Sequence, residues 1–198
     1  MKRIVLAGGI GSGKTAACER LTALGWPVID ADEIAHELST PGQPVLEALR
    51  DAFGDAVLKS DGTLDRSFLA DIVFDDATAL RRLNAITHGP IGVEIQRRLE
   101  ATEGPAAFVA LPLFRPEHRE LLHLDEVWAL QVEPETAVQR LVEGRGFSEV
   151  DARRRLDIQM SNVRRAEIVD RVLVNDGTLE QLYEQLATAL HESGLDRE

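Results

Sequence analysis

An α/β fold built on a five-stranded parallel sheet is the expectation for this chain, and three observations carry it. Short apolar runs recur at residues 4–7, 28–29, 107–111, 127–132 and 172–174, separated by segments with helical periodicity. The first run leads directly into Gly8-Gly9-Ile10-Gly11-Ser12-Gly13-Lys14-Thr15, which fills every fixed position of the phosphate loop G-x-x-x-x-G-K-[ST]. The length of 198 residues, with 44% apolar and 28% charged, suits one well-buried core with a small appended subdomain.

Taken in order, Ile4-Val5-Leu6-Ala7 reads as a buried strand, and Lys14 to Leu24 sets Ala17, Leu21 and Leu24 on one helical face. The loop between them, Gly9 to Ala16, can wrap an anion because glycine avoids Cβ clashes and the backbone N–H groups and helix N-terminus point at phosphate. Lys14 is expected to reach the β- and γ-phosphates of ATP, and Thr15 to place its hydroxyl on Mg²⁺. Asp30 and Asp32 follow the second run, at the carboxyl edge of a parallel sheet where ligands of open α/β folds bind. One positioned carboxylate suffices to accept a proton in phosphoryl transfer, while capping of a helix is the structural alternative for either aspartate.

Residues 32–104 read as helices throughout, divided by turn signals at 39–42, 61–62 and 89–90. An all-helical excursion of that size in an α/β chain fits a substrate-covering subdomain. A second helical excursion, 134–167, is interrupted at Gly144-Arg145-Gly146. Arg140 lies just before that interruption and Arg145 within it, and both could close over a triphosphate as lid arginines do. The core is thus expected from 1–31, 105–133 and 168–198, with a last helix near 179–191.

Several classes are disfavoured. A net charge of −12 repels a nucleic-acid backbone, and no basic tail offsets it. No apolar stretch approaches the length of a membrane span, and the phosphate loop begins where a cleavable leader would lie, so a cytoplasmic enzyme is expected. Cys18 is the single cysteine and reads as core filler. His118 and His123 are spaced wrongly to align two metal ligands on a helix. The guanine-reading N-K-x-D string is absent, and residues 107–111 run into Pro112-Leu113-Phe114 with no carboxylate, unlike motor-type ATPases. A small-molecule kinase remains. Eight of nineteen arginines lie between Arg140 and Arg171, a concentration suited to a small, highly charged anion, although consecutive Arg153, Arg154 and Arg155 fan around the helix and read as a solvated face.

Beyond the phosphate loop, Asp30-Ala31-Asp32 followed by Ile34-Ala35-His36, Leu64-Asp65-Arg66 with Ile72-Val73-Phe74, Leu83 to His88, Pro112, Gln139-Arg140-Leu141, Gln159, and Asp170 to Gly177 make a recurring set. On these residues the chain resembles the dephospho-CoA kinases over nearly its whole length. The resemblance implies a P-loop NTPase of adenylate-kinase-like fold, with a five-stranded parallel core, a helical CoA subdomain and a mobile lid. It implies ATP and dephospho-CoA as substrates and Mg²⁺ as cofactor. It makes Asp32 the base, with Asp30 orienting the acceptor or holding Mg²⁺ through water. Asn175, in Asn175-Asp176-Gly177, matches a position near adenine, though the string is also a good turn. His88 matches an acceptor-region histidine, with a structural role as the alternative. Arg66 could meet acceptor phosphate or make an internal salt bridge. The family pattern is altered at His88-Gly89-Pro90-Ile91, where proline is displaced, at Arg115, where an acid is usual, and at Gly144, where a lid arginine is usual. Those departures keep open a kinase for another nucleoside or nucleotide; an ATP-binding regulatory protein is the alternative from another class.

Overall fold

Both faces of a parallel sheet are buried, so its strands are continuous apolar runs rather than alternating ones. The computed structural model, which describes residues 1–74 and 76–196, bears this out in five strands: β1 (Lys2–Gly8), β2 (Val28–Asp30), β3 (Ala106–Leu111), β4 (Glu126–Gln131) and β5 (Arg171–Val174). They lie in the order β2-β3-β1-β4-β5, every neighbouring pair parallel. Leu6 stands opposite Ala110 on one side and Trp128 on the other, so β1 is central. The chain leaves β1 toward β2 and leaves β3 toward β4. The crossovers that leave the neighbouring strands β1 and β3 therefore diverge, and the crevice beyond their carboxyl ends is where such sheets bind ligands.

Two units make up the chain: Met1–Asp30 with Ala101–Glu198, and Ala31–Glu100. In the first, α1 (Lys14–Ala23) and α10 (Leu179–Glu192) contribute Ala17, Leu21, Leu182, Leu186 and Ala189 to a core with Ile4, Leu6, Phe108, Trp128 and Leu130. Phe108 meets Trp128 and Trp26 edge-on, with ring centroids 5.4 and 6.0 Å apart. Cys18 packs half-buried against this core. The remaining helices of the unit are α6 (Glu117–Leu121), α7 (Pro134–Arg145), α8 (Glu149–Asp157) and α9 (Asn162–Ala166). The expected interruption at 144–146 moves to its last residue: Gly144 and Arg145 are helical, and Gly146 ends α7 at φ 69°. A left-handed residue at the helix end favours glycine, whereas Gly144 is merely tolerated within the helix.

The sheet edge at β5 is closed by a side chain. Gln185 accepts a hydrogen bond from the Val174 N–H (2.8 Å) and donates one to the Val174 carbonyl (2.6 Å).

The second unit holds α2 (Ala31–Leu38), α3 (Pro44–Phe53), a 3₁₀ turn at Asp55–Val57, α4 (Arg66–Phe74) and α5 (Ala77–Ala101), whose last residue belongs to the first unit. Its own core gathers Val45, Leu46, Leu49, Val57, Leu64 and Leu69. An isolated antiparallel bridge, Leu58 with Leu64, interrupts the helical character around the 61–62 turn. The turn signal at 89–90 is overturned, because α5 runs for 25 residues straight through Pro90. Proline there removes the N–H that would bond the Ile86 carbonyl. Residues 88–90 are exposed, so water can take that carbonyl, while buried Ala79, Ile95 and Leu99 anchor the helix at both ends.

Glu126 ties strand to helix end. It accepts from Lys2 Nζ (2.9 Å), from the buried Trp128 Nε1 (2.9 Å) and from Ser193 Oγ (2.7 Å). Burial pushes its pKa up, but these three donors outweigh burial and hold it below the ordinary carboxylate range. A depressed pKa contributes stability that is present above the ordinary value and lost as pH falls through the folded-state value. Glu126→Ala should therefore cost about 1–3 kcal/mol in urea unfolding at neutral pH, since the indole N–H loses its partner. The gap from the parent should narrow in acid.

Candidate active site

The loop between β1 and α1 turns on two glycines with positive φ, Gly11 at 77° and Gly13 at 88°, a region L side chains avoid. A Cβ on Gly13 would also collide with Asn175 Nδ2, and one on Gly8 with Ser12 Oγ. The Ser12 N–H closes a tight turn onto the Gly9 carbonyl (3.2 Å). Capping serines stand at the starts of α8 and α9, and α10 carries a capping box. At α1 no side chain caps the N-terminus and no acid sits in the first turn. An uncapped, positively polarised helix start facing a glycine bend is an anion site. Lys14 and Thr15 open the helix there, followed by Ala16, and Thr15 is exposed.

Four contacts hold the loop. Asn175, nearly fully buried, donates from Nδ2 to the Ser12 carbonyl (2.9 Å), so its amide is a strut beneath the bend. Arg140, on α7, reaches both the Gly11 carbonyl (3.4 Å) and the Gly177 carbonyl (3.3 Å). The Ile10 side chain packs against Val138, Leu141 and Ala152 of the α7–α8 pair. Its N–H donates to Gln159 Oε1 (3.1 Å). Arg145 stands exposed at the end of α7 and makes none of the described contacts to the loop. Of the two arginines, then, Arg140 is the one brought to the phosphate loop.

Sequence reasoning gave Gln159 no role in the site and passed over Arg165. The Arg165 guanidinium donates to the Met160 carbonyl (2.8 Å) and to Asn162 Oδ1 (3.1 Å), and burial lowers its pKa. No spacing rule singles it out within an arginine-rich stretch; the run of arginines was the signal available. Elsewhere in that stretch Arg153 is spent on Glu135 and Glu149 (2.8 and 2.9 Å), a solvated pair of salt bridges as the sequence suggested.

Asp30 closes β2 at the carboxyl edge of the sheet. Asp32 lies exposed in the first turn of α2, where the helix dipole favours a negative charge. Within the same unit Arg66 bonds Ser39 Oγ (2.5 Å) and the Ala35 carbonyl (3.2 Å) of the α2 region. Burial lowers the Arg66 pKa and the charge of Asp32 opposes that shift, so the two side chains lie within each other's field. His88 is exposed in the middle of α5. For a metal, Thr15 and Asp30 are hard oxygen donors of the type Mg²⁺ takes. Among the described residues no group of three or more His, Cys, Asp or Glu is poised around an ion.

A phosphate loop between the central strand of a five-stranded parallel sheet and its helix, with a separate helical unit inserted after β2, defines a P-loop kinase. The model of the family described as dephospho-CoA kinase matches residues 3–181. The chain belongs to the dephospho-CoA kinase family. A dephospho-CoA kinase of Corynebacterium glutamicum is 42% identical over 197 residues, 97% of each chain. Among solved structures, the Thermus thermophilus protein TT1252 superimposes with a TM-score of 0.80 at 29% identity, covering 96% of this chain and 97% of that one. Dephospho-CoA kinase from Campylobacter jejuni gives 0.63 at 25%, covering 96% of each. No helix among the described residues is long and apolar enough to cross a membrane.

The strut can be tested apart from the chemistry. Asn175→Ala leaves the Ser12 carbonyl without its buried donor, and should weaken ATP binding roughly tenfold or more, equivalent to about 1.4 kcal/mol. Calorimetric titration with ATP measures this, and unchanged affinity would remove Asn175 from the support of the loop.

Proposed function

We propose that this chain transfers the γ-phosphoryl group of ATP to the ribose 3′-hydroxyl of dephospho-CoA, giving coenzyme A and ADP. The family match from residue 3 to residue 181, with the phosphate loop complete, carries the reading. The 3′-oxygen forms a bond to the γ-phosphorus, the bridging P–O bond breaks with its electron pair leaving on ADP, and the hydroxyl proton passes to the Asp32 carboxylate. Gly9 to Ala16 cradle the phosphates, and Lys14 neutralises charge on the β- and γ-groups. Mg²⁺, when bound, withdraws charge from the same phosphates, with the Thr15 hydroxyl and Asp30 or Asp32 through water as its protein oxygens. Asp30 orients the acceptor, and Arg66 and His88 bind it. Arg140 and Arg145 close over the triphosphate, the contact of Arg140 with the Gly11 carbonyl supporting its part. Residues 32–104 act as the acceptor subdomain and 134–167 as the lid, in a cytoplasmic enzyme with no nucleic-acid or membrane partner.

Steady-state assays with purified protein, ATP and Mg²⁺ test the reading. Dephospho-CoA should be phosphorylated at the 3′ position, with AMP or adenosine at least roughly tenfold worse in kcat/KM. Asp32→Asn should lower kcat by roughly 10²- to 10⁴-fold while ATP still binds, and Lys14→Ala should abolish transfer with the fold intact. An inert dephospho-CoA beside an active nucleoside acceptor would overturn the named reaction and leave a kinase of changed specificity.

A further inference from the structure

Several arginines of this acidic chain are consumed by carboxylates, among them Arg119 by Asp170, Arg153 by Glu135 and Glu149, and Arg171 by Glu192. Arg165 is not. Its partners are the Met160 carbonyl and the Asn162 side-chain carbonyl, both neutral, and no carboxylate perturbs it among the described residues. A guanidinium withdrawn from water and bonded only to neutral oxygens keeps its full charge uncompensated, which is costly unless an anion completes it.

Its position says which anion. Arg165 and Gln159 press against the start of the phosphate loop: a Cβ built on Gly9 would lie 2.5 Å from Gln159 Oε1 and 3.4 Å from Arg165 Nη2. Both residues line a small cavity with Gly8, Pro112 and Phe114, at the carboxyl ends of β1 and β3. At that point the Ile10 N–H, a donor of the kind the loop offers to phosphate, is taken by Gln159 Oε1 at 3.1 Å. A side-chain carbonyl oxygen on a phosphate-loop amide is a neutral stand-in for a phosphate oxygen.

Resting on the phosphotransferase reading above, we infer that Arg165 is a further catalytic residue, a guanidinium that meets the transferring phosphoryl group at the Gly9–Ile10 end of the loop. Gln159 is its internal placeholder, occupying the Ile10 N–H until a phosphate oxygen of the donor replaces it. Displacement of Gln159 clears the space between Arg165 and the loop, so the guanidinium gains its anion as the amide does. Charge spreads over the equatorial oxygens of the transferring group during transfer. The contact therefore strengthens toward the transition state and acts on kcat more than on ATP affinity.

The test separates this role from mere bracing of Met160 and Asn162. Arg165→Met, which keeps the aliphatic stem, and Arg165→Lys, which keeps a charge, are compared with the parent for kcat, for ATP affinity, and for affinity toward ADP with Mg²⁺ and fluoroaluminate. Arg165→Met should lose roughly 10²- to 10³-fold in kcat. Its ATP affinity should change less than about threefold, its ADP–fluoroaluminate affinity should fall at least about tenfold, and Arg165→Lys should recover part of each loss. Gln159→Ala should tighten ATP binding about threefold or more by removing the internal competitor. Equal losses of affinity for ATP and for the fluoroaluminate complex, or a kcat within about twofold of the parent in Arg165→Met, overturn the catalytic role. Weakened ATP binding in Gln159→Ala overturns the placeholder. The fluoroaluminate comparison needs no acceptor, so it reports on Arg165 even where dephospho-CoA proves not to be the substrate.

Discussion

A phosphate loop is backbone that presents its N–H groups to a ligand rather than to the protein, and such a bend must be held open by everything around it. Left to itself it would collapse onto its own carbonyls, because unpaired amides seek partners. Here the carbonyls of Gly9, Gly11 and Ser12 have each been given one. Asn175 takes that of Ser12 from below, Arg140 takes that of Gly11 from the side, and the Ser12 N–H is used once, on Gly9. The Ile10 side chain is clasped by Val138, Leu141 and Ala152. These braces come from the end of β5, from α7 and from α8, far apart in sequence. The nucleotide end of the site is therefore a property of the assembled sheet and not of the eight-residue motif.

The same arrangement explains how a protein of net charge −12 holds a polyanion. Long-range repulsion is screened beyond about 8–10 Å at ordinary ionic strength, so what matters is the charge within the first shell. Away from the loop, acidic residues neutralise arginines, as at Arg119, Arg153 and Arg171. Beside the loop, Arg140 and Arg165 are bonded to carbonyls instead, and local positive potential survives in an acidic surround.

Much of this architecture is legible in the sequence. Five buried parallel strands leave five apolar runs, and each observed strand overlaps the run expected for it. The phosphate loop is a short, contiguous motif and declares itself. Where reading fails, the reason is long-range burial or partner choice. Gly89-Pro90 has the composition of a turn, yet α5 continues because Ala79, Ile95 and Leu99 are buried and the proline lies on an exposed stretch of the helix, residues 88–90. Gly144 and Gly146 are alike in composition, and only the left-handed φ of Gly146 decides where α7 ends. Family spacing named Asn175, but its buried bond to Ser12 depends on β5 lying beside the loop. Gln159 was visible as a matching residue without a role, since nothing local indicates that its amide meets Ile10 some 149 residues away.

One detail at the margin of the sheet bears on how this enzyme survives its own concentration. An open parallel sheet has two raw edges, each able to template a strand from another molecule. At β2 the edge is three residues long, too short to offer much of a ladder. At β5 the Gln185 amide already makes, with Val174, the paired donor and acceptor bonds that an incoming strand would make. An invading chain would have to break both before gaining either. A glutamine on the last helix thus acts as a counterfeit strand, shielding an apolar edge from self-association without adding charge to a surface that already carries a surplus.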